Sequence, residues 1–404
     1  MHLNLIYRKD NAMKFEIEKD IFEKAADLAA RSAATKSTIE AIMGLYIEAK
    51  NEKLTVSGYD LTKGMKVIIS DAEVEIKDDG VVIVDAKRIC ETLHVIPDVK
   101  IAAEKKNSQL ILTWGKGART NQIQLPIYAE EKDYPEWPNP GDILGKIEIQ
   151  PQHLNDLMEC TKAFVSKNNS RPMYEGLLFE KETGTQLNIV STDGYRLAWA
   201  KANVAETDTQ FKAIVPGNSI SDVQKMCGNE STLLPMTFEV YSKHIKFIIG
   251  ENELITRRID ENGYLDYKKS INNCLNMEYG FSVEKSELMA TLIRAKISDK
   301  TSSAPVRLSF TDGDTRFIMQ TSSAFMEEWL DVSAGESDKL PEKMEIGYNP
   351  EYLLQGLKAF SSGKKIKVLF NGPTSPALLR NEEEPKEGET AMYYMVLPVR
   401  LKAS

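Results

Sequence analysis

The chain repeats itself about every 133 residues, and this periodicity constrains its fold more than any other feature. Phe15-Glu16-Ile17-Glu18, Ile147-Glu148-Ile149-Gln150 and Phe281-Ser282-Val283-Glu284 are short alternating segments. Apolar residues at helical spacing follow each one: Phe22, Ala25, Ala26 and Ala29, then Leu154, Leu157 and Met158, then Leu288, Leu292 and Ala295. Alternation predicts a strand, and the i, i+3, i+4, i+7 stripe predicts an amphipathic helix. Ile17 and Ile149 are 132 residues apart, and Ile149 and Val283 are 134 apart. A second set keeps the same period. Val81–Asp85 precedes Ala86–Leu93, Phe211–Val215 precedes Ser219–Met226, and Met344–Tyr348 precedes Pro350–Phe360. Each third therefore holds two strand-then-helix units, with further alternating segments such as Leu54–Ser57, Leu187–Ser191 and Phe317–Gln320.

Two amphipathic helices cannot enclose a core alone, so they must cover one face of the strands. This predicts an α+β fold of three tandem similar domains, at 13–145, 146–275 and 276–404. Three similar domains can form an arc, and a second chain joined head to tail would close it into a ring. Met13 reads as a plausible start, with residues 1–12 as a flexible leader lacking the apolar stretch of a secretory signal. No apolar run reaches the ~18 residues of a membrane helix, so a cytoplasmic protein is expected. Cys90, Cys160, Cys227 and Cys274 are widely spaced, as are the four histidines. Neither a disulfide framework nor a metal site is expected from that spacing, and no cofactor is implied.

The net charge is −9, which does not announce a nucleic-acid binder, but the distribution does. The ends of the first helix of each repeat carry Arg31 and Lys36, then Lys162, Lys167 and Arg171, then Arg294, Lys296 and Lys300, against the single acid Asp299. Basic residues favour helix C-termini through the macrodipole, yet their recurrence in three repeats suits a surface for a phosphate backbone, without base reading.

Ser191-Thr192-Asp193-Gly194-Tyr195-Arg196-Leu197-Ala198 follows a strand, and its Asp-Gly predicts a hairpin turn. A hydrolase centred on Asp193 would need a second carboxylate or a histidine nearby, and none is near in sequence. The chain ends in Met395-Val396-Leu397-Pro398-Val399-Arg400-Leu401, either an edge strand or the lining of an apolar groove. A three-repeat scaffold that binds no DNA is the other rival reading.

Four motifs in order, MKFEIEKD from Met13, STDGYRLA from Ser191, the stretch from Arg258 to Tyr267, and the ending MVLPVRL, resemble the bacterial beta sliding clamps, the beta subunits of DNA polymerase III. The resemblance implies the DNA-clamp fold: a head-to-tail homodimer closing a six-domain ring, with helices lining the hole. It implies a non-catalytic processivity factor that encircles duplex DNA, slides, and tethers the replicative polymerase, the clamp loader and repair proteins by short peptide motifs. Carried over by position, the peptide pocket would take Thr192, Gly194, Tyr195, Arg196 and Leu197 from the turn, with Tyr174 before it. Leu265 and Lys269 would come from the interdomain stretch, and Asn349 and Tyr352 from the start of the last helix. Pro373 and Ser375 would come from the following hairpin, and Met395, Val396, Leu397, Pro398, Val399, Arg400 and Leu401 would close the groove. Family members often carry His, Pro and Arg where Tyr195, Leu265 and Lys269 stand here. The resemblance also places Lys36, Lys167, Asn169 and Arg171 toward DNA, and Ile123 and Ile297 at the contact between chains.

Overall fold

A computed structural model describes residues 13–117, 119–167, 171–228, 234–298, 304–311, 313–321, 324–335, 338–383, 386 and 390–401. The leader 1–12, Asn169, Asp299 and Lys300 lie outside them. Seven α-helices are found among the described residues: α1 (Lys19–Ala30), α2 (Ala86–Val95), α3 (Pro151–Thr161), α4 (Gly217–Cys227), α5 (Tyr267–Leu275), α6 (Lys285–Ser298) and α7 (Pro350–Ala359). All except α5 follow directly on a strand, at Lys14–Glu18, Gly80–Asp85, Ile143–Ile149, Phe211–Pro216, Tyr279–Glu284 and Lys343–Tyr348. These are the six strand-then-helix units of the repeat.

Local chemistry sets the helix starts. Asp85 caps α2 by accepting from the Arg88 N–H, and Asn349 caps α7 by accepting from Glu351 and Tyr352, with Pro350 suited to the first turn. Each helix buries one stripe: Phe22, Ala25, Ala26 and Ala29 on α1, and Leu353, Leu354 and Leu357 on α7. Helix α5 is absent from the repeat pattern. Asp266 caps it, and Tyr267, Ile271 and Cys274 form its buried stripe.

The chain forms two compact units, Met1–Pro151 with Ser221–Arg257, and Gln152–Ile220 with Arg258–Ser404. The first contains a 13-stranded antiparallel sheet in which strands of the first repeat continue into Ile143–Ile149, Met236–Tyr241, His244–Ile249 and Asn252–Arg257. The seam pairs Leu254 with Met65 and Ile255 with Gly64. Trp137 covers this seam: its Nε1 donates to Glu253 at 2.6 Å, and the Lys66 ammonium sits 4.4 Å from its ring. A Cβ on Gly64 would come within 2.6 Å of the indole, so glycine permits this approach. The second unit contains a nine-stranded sheet and a four-stranded one. In the nine-stranded sheet Arg196–Thr207 pairs with Ala391–Val396, joining the middle repeat to the last.

The two seams share a device. Asp60 accepts from the Thr62 and Lys63 N–H groups, as Asp193 accepts from those of Tyr195 and Arg196. The Lys63 ammonium then reaches Asp222 on α4, and the Arg196 guanidinium reaches Gln355 on α7 at 2.6 Å. Lys63 to Arg196 and Asp222 to Gln355 are both 133 residues, so the same joint is built twice. In the first unit Asp222 is 2% exposed and also accepts from Arg31 Nε at 2.6 Å. Removing a buried carboxylate strands its cations. Asp222→Ala is expected to destabilise the first unit by about 3 kcal/mol, the lower end of the usual range because Arg31 stays partly in water. Urea melts of the two chains check this, and equal midpoints would contradict it.

Among the strands with an open edge, two differ in how far they are paired. Phe325–Trp329 ends the four-stranded sheet, paired only with Asp314–Gln320 among the described residues. Arg119–Ala129 pairs along its length with Gln109–Lys116, but with Gly80–Asp85 only at Ile127 and Ala129. Phe325, Trp329 and Ile297 are each more than 60% exposed.

Candidate functional site: an apolar groove at the C-terminal tail

The residues around the turn at 193–195 converge in the second unit. Gly194 has φ +91°, a conformation open to glycine at little cost. Thr192 Oγ1 accepts from the Gly194 N–H at 3.0 Å and donates to the Arg196 carbonyl at 2.7 Å. Asp193 Oδ1 accepts from two backbone N–H groups, and Oδ2 pairs with Arg196 Nε at 2.9 Å. The carboxylate is thus committed to its own turn, which replaces the hydrolase reading with a structural role.

Arg196 is 8% exposed and lies between two aromatic rings, with its guanidinium carbon 4.2 Å from the Tyr352 ring centre and 5.0 Å from that of Phe164. It is therefore a brace between the hairpin and α7. Burial raises the Tyr352 hydroxyl above its ordinary range, so the ring stays neutral beside that cation. Tyr394 donates to the Tyr352 carbonyl at 2.8 Å, and its ring fills the place where a Cβ on Gly356 would come within 2.2 Å.

A single apolar cluster lies beneath. Tyr174, Leu197, Trp199, Tyr264, Tyr267, Ile271, Cys274 and Leu378 belong to it, with Met173, Leu265 and Met395 partly buried at its margin. Tyr174 stands edge-on to Tyr264 at 5.5 Å, and the Cys274 thiol lies 3.7 Å from the Met395 sulfur. Leu197 is 0% exposed. Its place is the floor of the cluster, not an open wall, because its strand is paired on both sides and covered on both faces.

The tail forms the exposed side. Val396 closes the strand opposite Arg196, and the Leu397 N–H then donates to the Tyr195 carbonyl at 2.9 Å. After Pro398, which has no N–H to donate, the Val399 N–H donates to the Gly347 carbonyl at 2.8 Å. Leu401 packs over Gly347, where a Cβ would meet its Cδ2 at 2.6 Å. Leu397 and Val399 remain 38% and 37% exposed, Tyr195 62%, and Arg400 is exposed. Asn349 is occupied as the α7 cap, and Pro373 and Ser375 lie in the turn before Ala377–Asn381, the strand beside the tail strand. Lys269 is exposed on α5, and its backbone N–H donates to Asp266.

Sequence reasoning missed Met173, Tyr264, Gln355 and α5. Asp266 followed by Tyr267, Ile271 and Cys274 was a usable signal: a cap before an i, i+4, i+7 stripe.

The basic helix ends divide into two groups. Arg31, Lys162, Arg294 and Lys296 are held by Asp222, Glu159, Glu328 and Glu351. Arg171 reaches the Tyr174 hydroxyl at 3.5 Å. Lys36 and Lys167 are exposed and form no ion pair among the described residues.

Three tandem α+β domains joined by strand pairing across their seams make this a clamp-type fold. Sequence profiles of the N-terminal, central and C-terminal domains of the DNA polymerase III beta subunit match residues 13–138, 148–263 and 276–396. The beta sliding clamp of Lactococcus lactis is 24% identical over 399 residues, 96% of this chain and 99% of that one. A crystal structure of the DNA polymerase III beta chain of Streptococcus pneumoniae superposes with a TM-score of 0.86 at 21% identity, over 96% of this chain and all of that one. The Pseudomonas aeruginosa sliding clamp bound to griselimycin superposes at 0.83 with 20% identity and the same coverage. The chain belongs to the DNA polymerase III beta subunit family.

Proposed function

We propose that this protein is a sliding clamp, the non-catalytic processivity factor of a replicative DNA polymerase. The observation that supports this most is the triple domain match in order, on a fold whose strands pair across both seams within the chain. Three domains at 13–145, 146–275 and 276–404 form half of a ring. A third seam, between two copies, completes it. Phe325–Trp329 follows the third repeat's hairpin, as Lys63–Ile69 and Arg196–Thr207 follow theirs, and its edge is open. Arg119–Ala129 is the repeat counterpart of Asn252–Arg257 and Ala391–Val396, and carries Ile123. Pairing of these two strands, with Ile297 nearby on α6, joins the chains head to tail. Duplex DNA runs through the ring past Lys36, Lys167, Asn169 and Arg171, held by phosphate contacts.

The groove around Leu397 and Val399 takes the apolar anchors of extended peptides from the polymerase, the clamp loader and repair proteins. The griselimycin complex of the Pseudomonas relative supports a ligand groove in this family. A cytoplasmic, nucleoid-associated role follows from this action on DNA; no described helix is long and apolar enough to cross a membrane.

Light scattering tests the assembly. The expected mass is about 91 kDa, twice the chain's 45.4 kDa. Ile123→Asp with Phe325→Asp is expected to give a folded species of half that mass, since two charges at an open strand edge oppose pairing. A monomeric parent, or a double variant that stays dimeric, would refute the seam.

A further inference from the structure

Outside the groove, a cluster of ligand-type side chains lies where α1 packs against α2 in the first unit. Glu23 and Asp27 stand one turn apart on α1, and Cys90 and His94 one turn apart on α2. His94 Nε2 lies 3.0 Å from Asp27 Oδ2 and 3.6 Å from Glu23 Oε1, and the three donor atoms all lie within 4.8 Å of one another. Metal–ligand bonds of about 2.0–2.1 Å place tetrahedral donors about 3.3 Å apart, a spacing the two distances bracket.

The surroundings orient these donors. Glu23 Oε2 is held at 2.6 Å by Lys19, a lysine only 6% exposed, which is also tied to Asp98. That ion pair fixes the carboxylate and leaves Oε1 facing His94, the arrangement by which outer groups aim metal ligands. Beside them is the buried Cys90 thiol, pushed up to about 12 mainly by burial and then by the Asp27 charge. A mixed nitrogen and oxygen set favours a borderline ion over Mg2+ or Ca2+, which prefer all-oxygen shells.

We propose that Glu23, Asp27 and His94 bind a divalent transition-metal ion, with Zn2+ the best fit and water as the fourth ligand. The ion takes the place of the proton between His94 and Asp27 and pins α1 to α2. Nothing in the sequence spacing marks the site, because packing of two helices 67 residues apart assembles it.

The test uses the full chain, stripped with chelator and then titrated with Zn2+ against a chromophoric competitor. One ion per chain is expected. His94→Ala with Asp27→Asn is expected to weaken binding by roughly tenfold or more, while Glu91→Gln on the same helix leaves it unchanged. All three proteins are expected to melt alike without metal, and added Zn2+ is expected to raise the melting temperature of the parent and Glu91→Gln only. Absence of saturable one-to-one binding, or a double variant that binds and melts like the parent, would overturn the proposal.

Discussion

Leu397→Ser with Val399→Ser is expected to weaken binding of a short peptide carrying a Gln and two apolar anchors by about 100-fold. An extended peptide loses backbone entropy when it docks, so affinity must come from a few buried anchors. Fully burying a Leu-sized side chain contributes about 1.5–3 kcal/mol. Two partners at the low end give about 3 kcal/mol, or roughly two orders of magnitude. The pair suits the test because both residues are more than a third exposed, so the folded chain loses less without them than at a buried position. Leu197 does not suit it. Fully buried beside Tyr174, Trp199 and Leu378, it would leave a polar group in the core. Leu197→Ser is therefore expected to lower the melting temperature as well as binding. Fluorescence anisotropy with a labelled peptide measures the first effect, and light scattering confirms an unchanged dimer. Affinity within threefold of the parent would remove the tail from the groove.

The repeat was legible because each strand-then-helix unit carries its own pattern. Phe22, Ala25 and Ala29, or Leu353, Leu354 and Leu357, mark a buried helix face without knowledge of any other element. The hairpin at Asp193-Gly194 was legible for the same local reason, since glycine supplies the positive φ. What depended on distant partners was not. Arg31, Arg294 and Lys296 read as free positive charge, yet their carboxylates come from Asp222, Glu328 and Glu351, up to 191 residues away. Arg196 read as a groove residue, but Gln355 and the Tyr352 ring enclose it. Alternation could say that Leu197 points to one face of its strand, but not that the Tyr264 and α5 layer covers that face.

This redistribution of charge narrows what the protein can do with DNA. Most of the described basic residues at the helix ends are held by carboxylates, so tight direct binding is not expected. Replacing Lys36, Lys167 and Arg171 together is expected to flatten the salt dependence of DNA contact by up to about 3 units, since each phosphate contact contributes about 0.9 to the slope. It should leave the dimer intact. Retention on DNA must then come from enclosure rather than affinity, and enclosure depends on whether the DNA has ends.

The most direct measurement therefore loads the protein on a nicked circular duplex, using a clamp loader and ATP, and isolates the complex by gel filtration. One half is then cut with a single-site restriction enzyme. The account predicts that the protein stays with the intact circle and separates from the linear product. Equal retention on both forms would mean that the chain binds DNA by contact, and would contradict the ring.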